Sequence, residues 1–318
     1  MEPYTEEIER PSIWEFRLTS RALSGSDARM ASRPDPDRLA ADLRVVGQDG
    51  APAAGAVGGW SREGILEALL AEPTDTWRTI PGRVTFPWCQ GNADPGGRGS
   101  VIKRFDTARG LRGRWAADPA RREFEALRRL RDLGLPVPEP VLHAQSASLG
   151  RSMLIMDEVR HTRSLRQAIA ADDDPLARAH AEGVRLAALV GELHGSGWYH
   201  RDLYLQHVVQ REGDGALVLL DLGRARHQRQ PRPRWFHKDL AALHVSAGAD
   251  YRDALLGALL PEYFRARQLP VADLAAWERA ILRRSARVGA RIPRHGDPGT
   301  REGETVEGEV DGRFLSGG

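Results

Sequence analysis

Apolar and polar positions change period several times along this chain, and each change marks an element. Ser61 to Ala71 carries Ile65, Leu66, Leu69 and Leu70 at helical spacing behind a serine able to cap them, which predicts a short helix. Trp77 to Trp88 reads as a strand, and Gly99 to Phe105, built around Val101-Ile102-Lys103, as a second. Asp118-Pro119 supplies a capping acceptor followed by a first-turn proline, and Gly134 a stop, so the stretch between them is a helix. On its wheel Phe124, Leu127, Leu130 and Leu133 share one apolar face. Met153-Leu154-Ile155-Met156 forms the centre of a strand over Leu149 to Val159. Asp174-Pro175 opens a long helix with Val184, Leu186, Ala187, Val190 and Leu193 on its apolar side, ending near Gly195. His207 to Gln210 and Ala216 to Leu220 flank the turn-rich Glu212-Gly213-Asp214-Gly215 and predict a β-hairpin with Asp214 in its turn. Helices follow near Lys238 to Ser246, Asp250 to Arg265 and Val271 to Gly289. Strands gather in the first half and helices in the second, an α+β pattern.

The ends of the chain lack such periods. Residues 1–56 mix charges with proline, glycine and alanine, and residues 293–318 are rich in glycine and acids; both are expected to be largely disordered. With 318 residues, 41% hydrophobic and 28% charged, the remainder can bury a substantial core, divided here into lobes at 57–157 and 158–292. A single cysteine, Cys89, excludes an internal disulfide framework and suits a reducing compartment. No run of 18 apolar residues occurs and the first residues are acidic, so a cytoplasmic chain with neither spanning helix nor signal peptide is expected. A formal charge of +2 argues for no nucleic-acid partner.

Chemistry enters at His200-Arg201-Asp202-Leu203-Tyr204-Leu205-Gln206-His207, followed nineteen positions after Asp202 by Asp221-Leu222-Gly223. Transfer of an ATP γ-phosphoryl group is mostly positioning plus cation-assisted electrostatics, and two carboxylates at strand ends suit it. Asp202 would orient the attacking hydroxyl and take its proton; Asp221 would hold Mg²⁺ against the β- and γ-phosphates. Protein kinases carry H-R-D-L-x-x-x-N here, the asparagine binding a second magnesium. This chain has His207 at that position. Imidazole is the softer ligand, yet the predicted hairpin carries His207 and Asp221 at its two ends and so brings them together.

Lysine usage is a separate signal: only two of the 46 basic side chains are lysines, Lys103 and Lys238. A chain this biased toward arginine keeps lysine where a compact ammonium is needed, and Lys103 on its strand suits a grip on the α- and β-phosphates. Its partner follows from helical geometry. Glu123 projects from the apolar face of the helix after Asp118 and must be paired there, whereas Glu125 points toward water with Arg128, Arg129 and Asp132. Lys238 admits either a substrate contact or a plain surface role. His194, His200 and Arg201 are read as structural, and Asp239 as a cap on the catalytic loop from a helix behind it. Gly91 to Gly99 could cover phosphates with backbone amides or be an ordinary exposed hairpin. Backbone at Asp157-Glu158 would read adenine.

The segment H-R-D-hydrophobic-Tyr-x-x-His, with Tyr204 and His207, then Asp221-Leu222, then Arg234-Trp235-Phe236-His237-Lys238-Asp239-Leu240-Ala241-Ala242-Leu243, resembles the lipopolysaccharide kinase family. That likeness covers roughly residues 75 to 250. It implies a bilobal protein-kinase-like fold, a small antiparallel sheet lobe with a mainly helical one. It also implies ATP and Mg²⁺ as cofactors, Lys103 and Glu123 at the nucleotide, His207 and Asp221 at the metal, and Asp202 as catalyst. The implied acceptor is heptose or Kdo in the lipopolysaccharide inner core, with peripheral contact to the inner membrane. Only sixteen positions separate Gly223 from Asp239 and no A-P-E follows, which favours a glycan or small molecule over a peptide. Arg224 to Arg234 holds five arginines and no acid, either a solvated loop or a cradle for anions. Two alternatives stay open: a kinase for another small molecule, of the aminoglycoside or choline type, and a nucleotide-binding pseudokinase scaffold.

Overall fold

The computed structural model describes residues 42–53, 55–71, 78–80, 83–88, 99–106, 118–161 and 163–289, all within the unit that runs from Pro36 to Gly318. Cys89, Gly91 to Arg98, the first 41 residues and the tail from 290 onward lie outside the described residues.

A six-stranded antiparallel sheet comes first: β1 (Arg44–Gly47), β2 (Arg78–Ile80), β3 (Arg83–Trp88), β4 (Ser100–Asp106), β5 (Pro140–Ser146) and β6 (Arg151–Asp157), in the order β1-β5-β6-β4-β3-β2. The edge strand β1 lies inside the stretch expected to be largely disordered. Its buried Val45, with Leu43 before it, anchors it beside β5. Trp77 to Trp88, expected as one strand, holds two, β2 and β3, which pair with each other.

Two helices sandwich the sheet, and the two-residue period of the strands sorts side chains between them. On one face Ile102, Leu142 and Ile155 pack with Ile65 and Leu69 of α1 (Arg62–Leu70). The buried guanidinium of Arg104, on that face, donates to the carbonyls of Ala68, Leu69 and Ala71 and so satisfies the end of α1. On the other face Phe105, Leu154 and Met156 pack with Phe124, Leu127 and Leu130 of α2 (Pro119–Asp132). Asp118 caps α2 through its carboxylate at Ala120 and Arg121, and Gly134 takes the left-handed conformation past the end, φ 81°. Leu133, expected on the apolar face, is exposed: it occupies the C-cap, one step beyond the regular turns that set the wheel.

The second lobe is mainly helical: α3 (Leu165–Ala170), α4 (Pro175–Gly195), α5 (Pro233–Ser246), α6 (Arg252–Ala266) and α7 (Leu274–Gly289). Short strands interrupt it, β7 (Trp198–Tyr199) paired with β10 (Arg226–His227), and β8 (Val208–Gln210) paired with β9 (Leu217–Leu219) as the predicted hairpin. Asp174 caps α4 by accepting from Ala177 N. Helix α4 packs closely on α6, where a Cβ at Gly183 would stand 2.6 Å from the Leu255 carbonyl. Val184, expected to pack, is exposed on α4. One continuous apolar cluster runs from Phe124 and Leu127 through Leu205 and Leu222 to Leu240, Leu259 and Tyr263. It ties α2 to the turn at Leu222–Arg224, and so fixes the sheet lobe against the segment after Asp221.

Candidate active site

The site assembles where β4, α2, the loop after β7 and the hairpin β8–β9 converge. Lys103 falls on the α2 side of β4, and Glu123 stands one turn into α2 beside Phe124. Both are buried, at 7% and 1% exposure, and Lys103 Nζ donates to Glu123 Oε1 at 2.6 Å. The same ammonium reaches Asp221 Oδ1 at 3.0 Å. Burial alone would lower the Lys103 pKa, but Glu123 and then Asp221 raise it above the usual lysine value. Among the described residues Glu123 Oε2 has no hydrogen-bond partner, and it faces Gly223, where a Cβ would come within 3.0 Å of it. A glycine at 223 thus lets the loop close against the glutamate.

Asp221 leaves β9 through Leu220 into the left-handed region, φ 56°, a conformation Asp tolerates better than most residues. Burial would raise its carboxyl; Lys103, Arg83 and His207 together hold it well below the ordinary range, so it is ionised throughout physiological pH. Arg83 comes from the start of β3 and places its guanidinium 3.1 Å from Asp221 Oδ1. Ile80 of β2 pairs with Arg83 of β3, so this end of the two strands is the one nearest the carboxylate. Trp88 and Ser100, which bound the glycine-rich stretch, instead align with Asp157 at the opposite end of the strands.

His207 packs its ring parallel to that of His200 and edge-on to Tyr204. Its Nδ1 lies 2.8 Å from the Asp202 carbonyl, and Nε2 is 3.8 Å from Asp221 Oδ2. A bond to a carbonyl requires the proton on Nδ1, and in the neutral ring this leaves the Nε2 lone pair on the side of Asp221, the arrangement typical of a metal-binding imidazole. Among the described residues no cluster of three or more His, Cys, Asp or Glu side chains gathers for a metal. One carboxylate and one imidazole therefore suit a cation that takes its other ligands from phosphate and water, as Mg²⁺ does. The hairpin holds both donors: Leu220 N donates to the His207 carbonyl, and the His200 ring bonds the Leu220 carbonyl.

Asp202 sits on the other side of the loop. Its Oδ1 accepts from Arg224 at 2.9 Å and lies 3.9 Å from Lys238 Nζ. Burial lowers the Lys238 pKa, and that ammonium also donates to the Arg201 carbonyl. The loop is held from beneath by Asp239, fully buried, which accepts from His200 N at 2.6 Å and Arg201 N at 2.7 Å. Asp239 is thus the loop's cap, as expected. His194 supports it at 3.4 Å, and burial keeps both His194 and His200 below the usual histidine pKa. Arg201 enters this structure through its backbone, which at φ 75° is what Asp239 and Lys238 grip, while its side chain lies over Trp235 and its Nε has no partner among the described residues.

Lys103, Glu123, His207 and Asp221 are therefore brought together, and Asp202 faces the same hairpin from the His207 side. The sequence does not mark Arg83 among so many arginines, and it marks Arg224 only as the first residue of an arginine-rich loop; both contact site carboxylates. A surface concavity lined by Arg185, Glu192, Ala216 and Arg267 contains none of these side chains.

The family model of the lipopolysaccharide kinase (Kdo/WaaP) family matches residues 110–280. The lipopolysaccharide core heptose(I) kinase WaaP of Pseudomonas aeruginosa is 29% identical over 267 residues, 75% of this chain and 95% of that protein. The WaaP of Escherichia coli is 29% identical over 188 residues, 54% of this chain and 69% of that protein. Among solved structures, the PK-1 kinase of Cydia pomonella granulovirus aligns at a TM-score of 0.38 and 15% identity, over 60% of this chain and 81% of that one. The matched stretch takes in α2 with Glu123, the loop with Asp202 and His207, and Asp221, and the chain belongs to the lipopolysaccharide kinase (Kdo/WaaP) family.

Proposed function

We propose that the protein transfers the γ-phosphoryl group of ATP to a hydroxyl of heptose, or of Kdo, in the lipopolysaccharide core. The observation that carries the reading is the convergence of Glu123 and Asp221 on the Lys103 ammonium, each within hydrogen-bond distance of it, next to a loop that presents Asp202. Membership in a lipopolysaccharide kinase family supports the acceptor, as does a relative matched along 95% of its length whose name specifies core heptose(I). In this reading Lys103, fixed by Glu123, holds the α- and β-phosphates. Asp221 and His207 hold Mg²⁺, which supplies charge neutralisation at the β- and γ-phosphates. Asp202 orients the sugar hydroxyl and takes its proton.

The reaction belongs on the cytoplasmic side, where ATP is available, with the enzyme meeting a membrane-linked acceptor peripherally. Among the described residues no helix is long and apolar enough to cross a membrane. The test is transfer of labelled phosphate from ATP, with Mg²⁺, to lipopolysaccharide from a strain whose core lacks phosphate. Label in the core sugar supports the reading. Label only in an aminoglycoside or choline would assign a small-molecule kinase, and ATP binding without transfer would assign a scaffold.

A further inference from the structure

Arg83 and Lys103 converge on one oxygen. Arg83 donates to Asp221 Oδ1 at 3.1 Å and Lys103 Nζ donates to the same atom at 3.0 Å, while Oδ2 lies 3.8 Å from His207 Nε2. A carboxylate oxygen offers about two lone pairs, so Oδ1 is filled and Oδ2 faces the imidazole. Lys103 has a second acceptor in Glu123. For Arg83, Asp221 is the one carboxylate partner among the described residues. The side chains of this pair are 23% and 25% exposed, so it can open without stranding a buried charge.

The register of the sheet places Arg83 relative to Lys103. Across β3 and β4, Arg83 pairs with Phe105 and Thr85 with Lys103. Cross-strand partners share a face, and so do positions two apart along a strand. Arg83 and Lys103 therefore stand diagonally on the α2 side of the sheet, the side on which Phe105 packs. The other end of β4 is Ser100, aligned with Asp157, where backbone is expected to read adenine. At about 3.4 Å per residue, Lys103 lies roughly 10 Å along β4 from Ser100, and the pair of Phe105 with Arg83 roughly 17 Å. Base, α- and β-phosphates and γ-phosphate follow one another in that order along an extended nucleotide. With Lys103 at the α- and β-phosphates, the next cation along the same face stands at the γ end.

Resting on the function proposed above, we infer that Arg83 is a ligand of the ATP γ-phosphate, and that its bond to Asp221 is the position it takes when no γ-phosphate is present. In that resting position the guanidinium covers one oxygen of the carboxylate assigned to the metal. When the γ-phosphate is there, the guanidinium fork turns to its oxygens, which it matches two bonds at a time, and uncovers Asp221 Oδ1. Once the phosphoryl group has passed to the sugar, Arg83 has no ligand left in ADP and returns to Asp221. Arg83 thus makes the site prefer ATP to ADP and loosens the product complex.

Calorimetric titration of the full chain with ATP and with ADP, each with Mg²⁺ and without acceptor, reads that preference in the wild-type protein, Arg83→Gln and Arg83→Lys. Arg83→Gln should lose roughly tenfold or more in ATP affinity, as befits a hydrogen bond to a charged group, and no more than about twofold in ADP affinity. Arg83→Lys keeps the charge without the fork and should fall between. Equal losses on ATP and ADP would make Arg83 a structural pin between sheet and hairpin and overturn the inference. Unchanged ATP affinity would overturn it too, and a raised KM for glycan in that variant would move Arg83 to the acceptor. Each of these results leaves the proposed function standing. Should Arg83→Gln fail to melt cooperatively, Arg83→Lys carries the comparison alone, and an ATP-to-ADP preference equal to that of the wild-type protein overturns the inference. A wild-type protein that binds neither nucleotide removes both the inference and the function it rests on.

Discussion

Lys103 and Asp221, 118 residues apart, meet through a hydrogen bond of 3.0 Å, and Glu123 holds the same ammonium from the other side. A buried cation shared by two carboxylates is sensitive to loss of either, because the group left behind stays charged in a dry site. Lys103→Ala and Glu123→Ala should each abolish most transfer. The double variant should lose far less than the product of the two effects, since each single change already dismantles the pair. Initial rates across the four proteins measure this, and independent, multiplying effects would show that Glu123 does not act through Lys103.

For His207 the expectation concerns the metal. His207→Asn should keep substantial activity, because an amide oxygen is a competent hard ligand, whereas His207→Ala should raise the Mg²⁺ concentration needed for half-maximal rate. Asp221→Ala should be worse, as it removes the charge from the metal site. Mg²⁺ titrations at saturating acceptor read this out. An unchanged Mg²⁺ requirement in His207→Ala, together with weaker acceptor binding, would move His207 to the sugar site.

Asp239 touches no proposed reacting group, yet two backbone amides of the loop depend on it. Asp239→Ala leaves His200 N and Arg201 N without their acceptor, at roughly 1–3 kcal/mol each. Denaturant unfolding should record a loss of that order. Transfer by the folded fraction should fall as well, because Arg201 at φ 75° relaxes once its amide is released. Unaltered stability would contradict the role given to this carboxylate.

Burial keeps His194 and His200 neutral in the fold, with pKa values below the unfolded value of about 6.5. Below that value the unfolded chain binds protons that the folded one refuses, so unfolding becomes more favourable as pH falls. Their contribution is fully present above about pH 6.5 and is lost as pH falls toward their folded values. Melting temperatures should therefore drop from pH 7 to 5, and His200→Gln, which can still donate to the Leu220 carbonyl, should flatten that slope. An identical slope in the variant would exclude His200 as a source.

Local order was readable wherever a short stretch decides it. Asp118-Pro119 and Asp174-Pro175 start helices because capping is a matter of a few residues. The pairing of Glu123 followed from its place on an apolar face, and the meeting of His207 with Asp221 from the turn at Gly213 and Gly215. What escaped depends on residues far apart in the chain. Arg83 meets Asp221 across 138 positions, and Arg224 meets Asp202 only because β10 pairs with β7. The strand at Arg44–Gly47 is short, with an arginine at one end and a glycine at the other, and the neighbouring β5 makes it a strand. Lys238 was visible as a rare lysine, but its approach to Asp202 requires α5 to pass beneath the loop.

The most direct measurement is phosphorus NMR of core glycan incubated with ATP and Mg²⁺, using the wild-type protein and Asp202→Asn in parallel, with ATP affinity measured for both. The account predicts a phosphate monoester on a core-sugar hydroxyl with the wild-type protein, and none with Asp202→Asn despite ATP affinity within a few-fold. A monoester formed at the wild-type rate by Asp202→Asn, or no monoester with a wild-type protein that binds ATP and Mg²⁺, would contradict it.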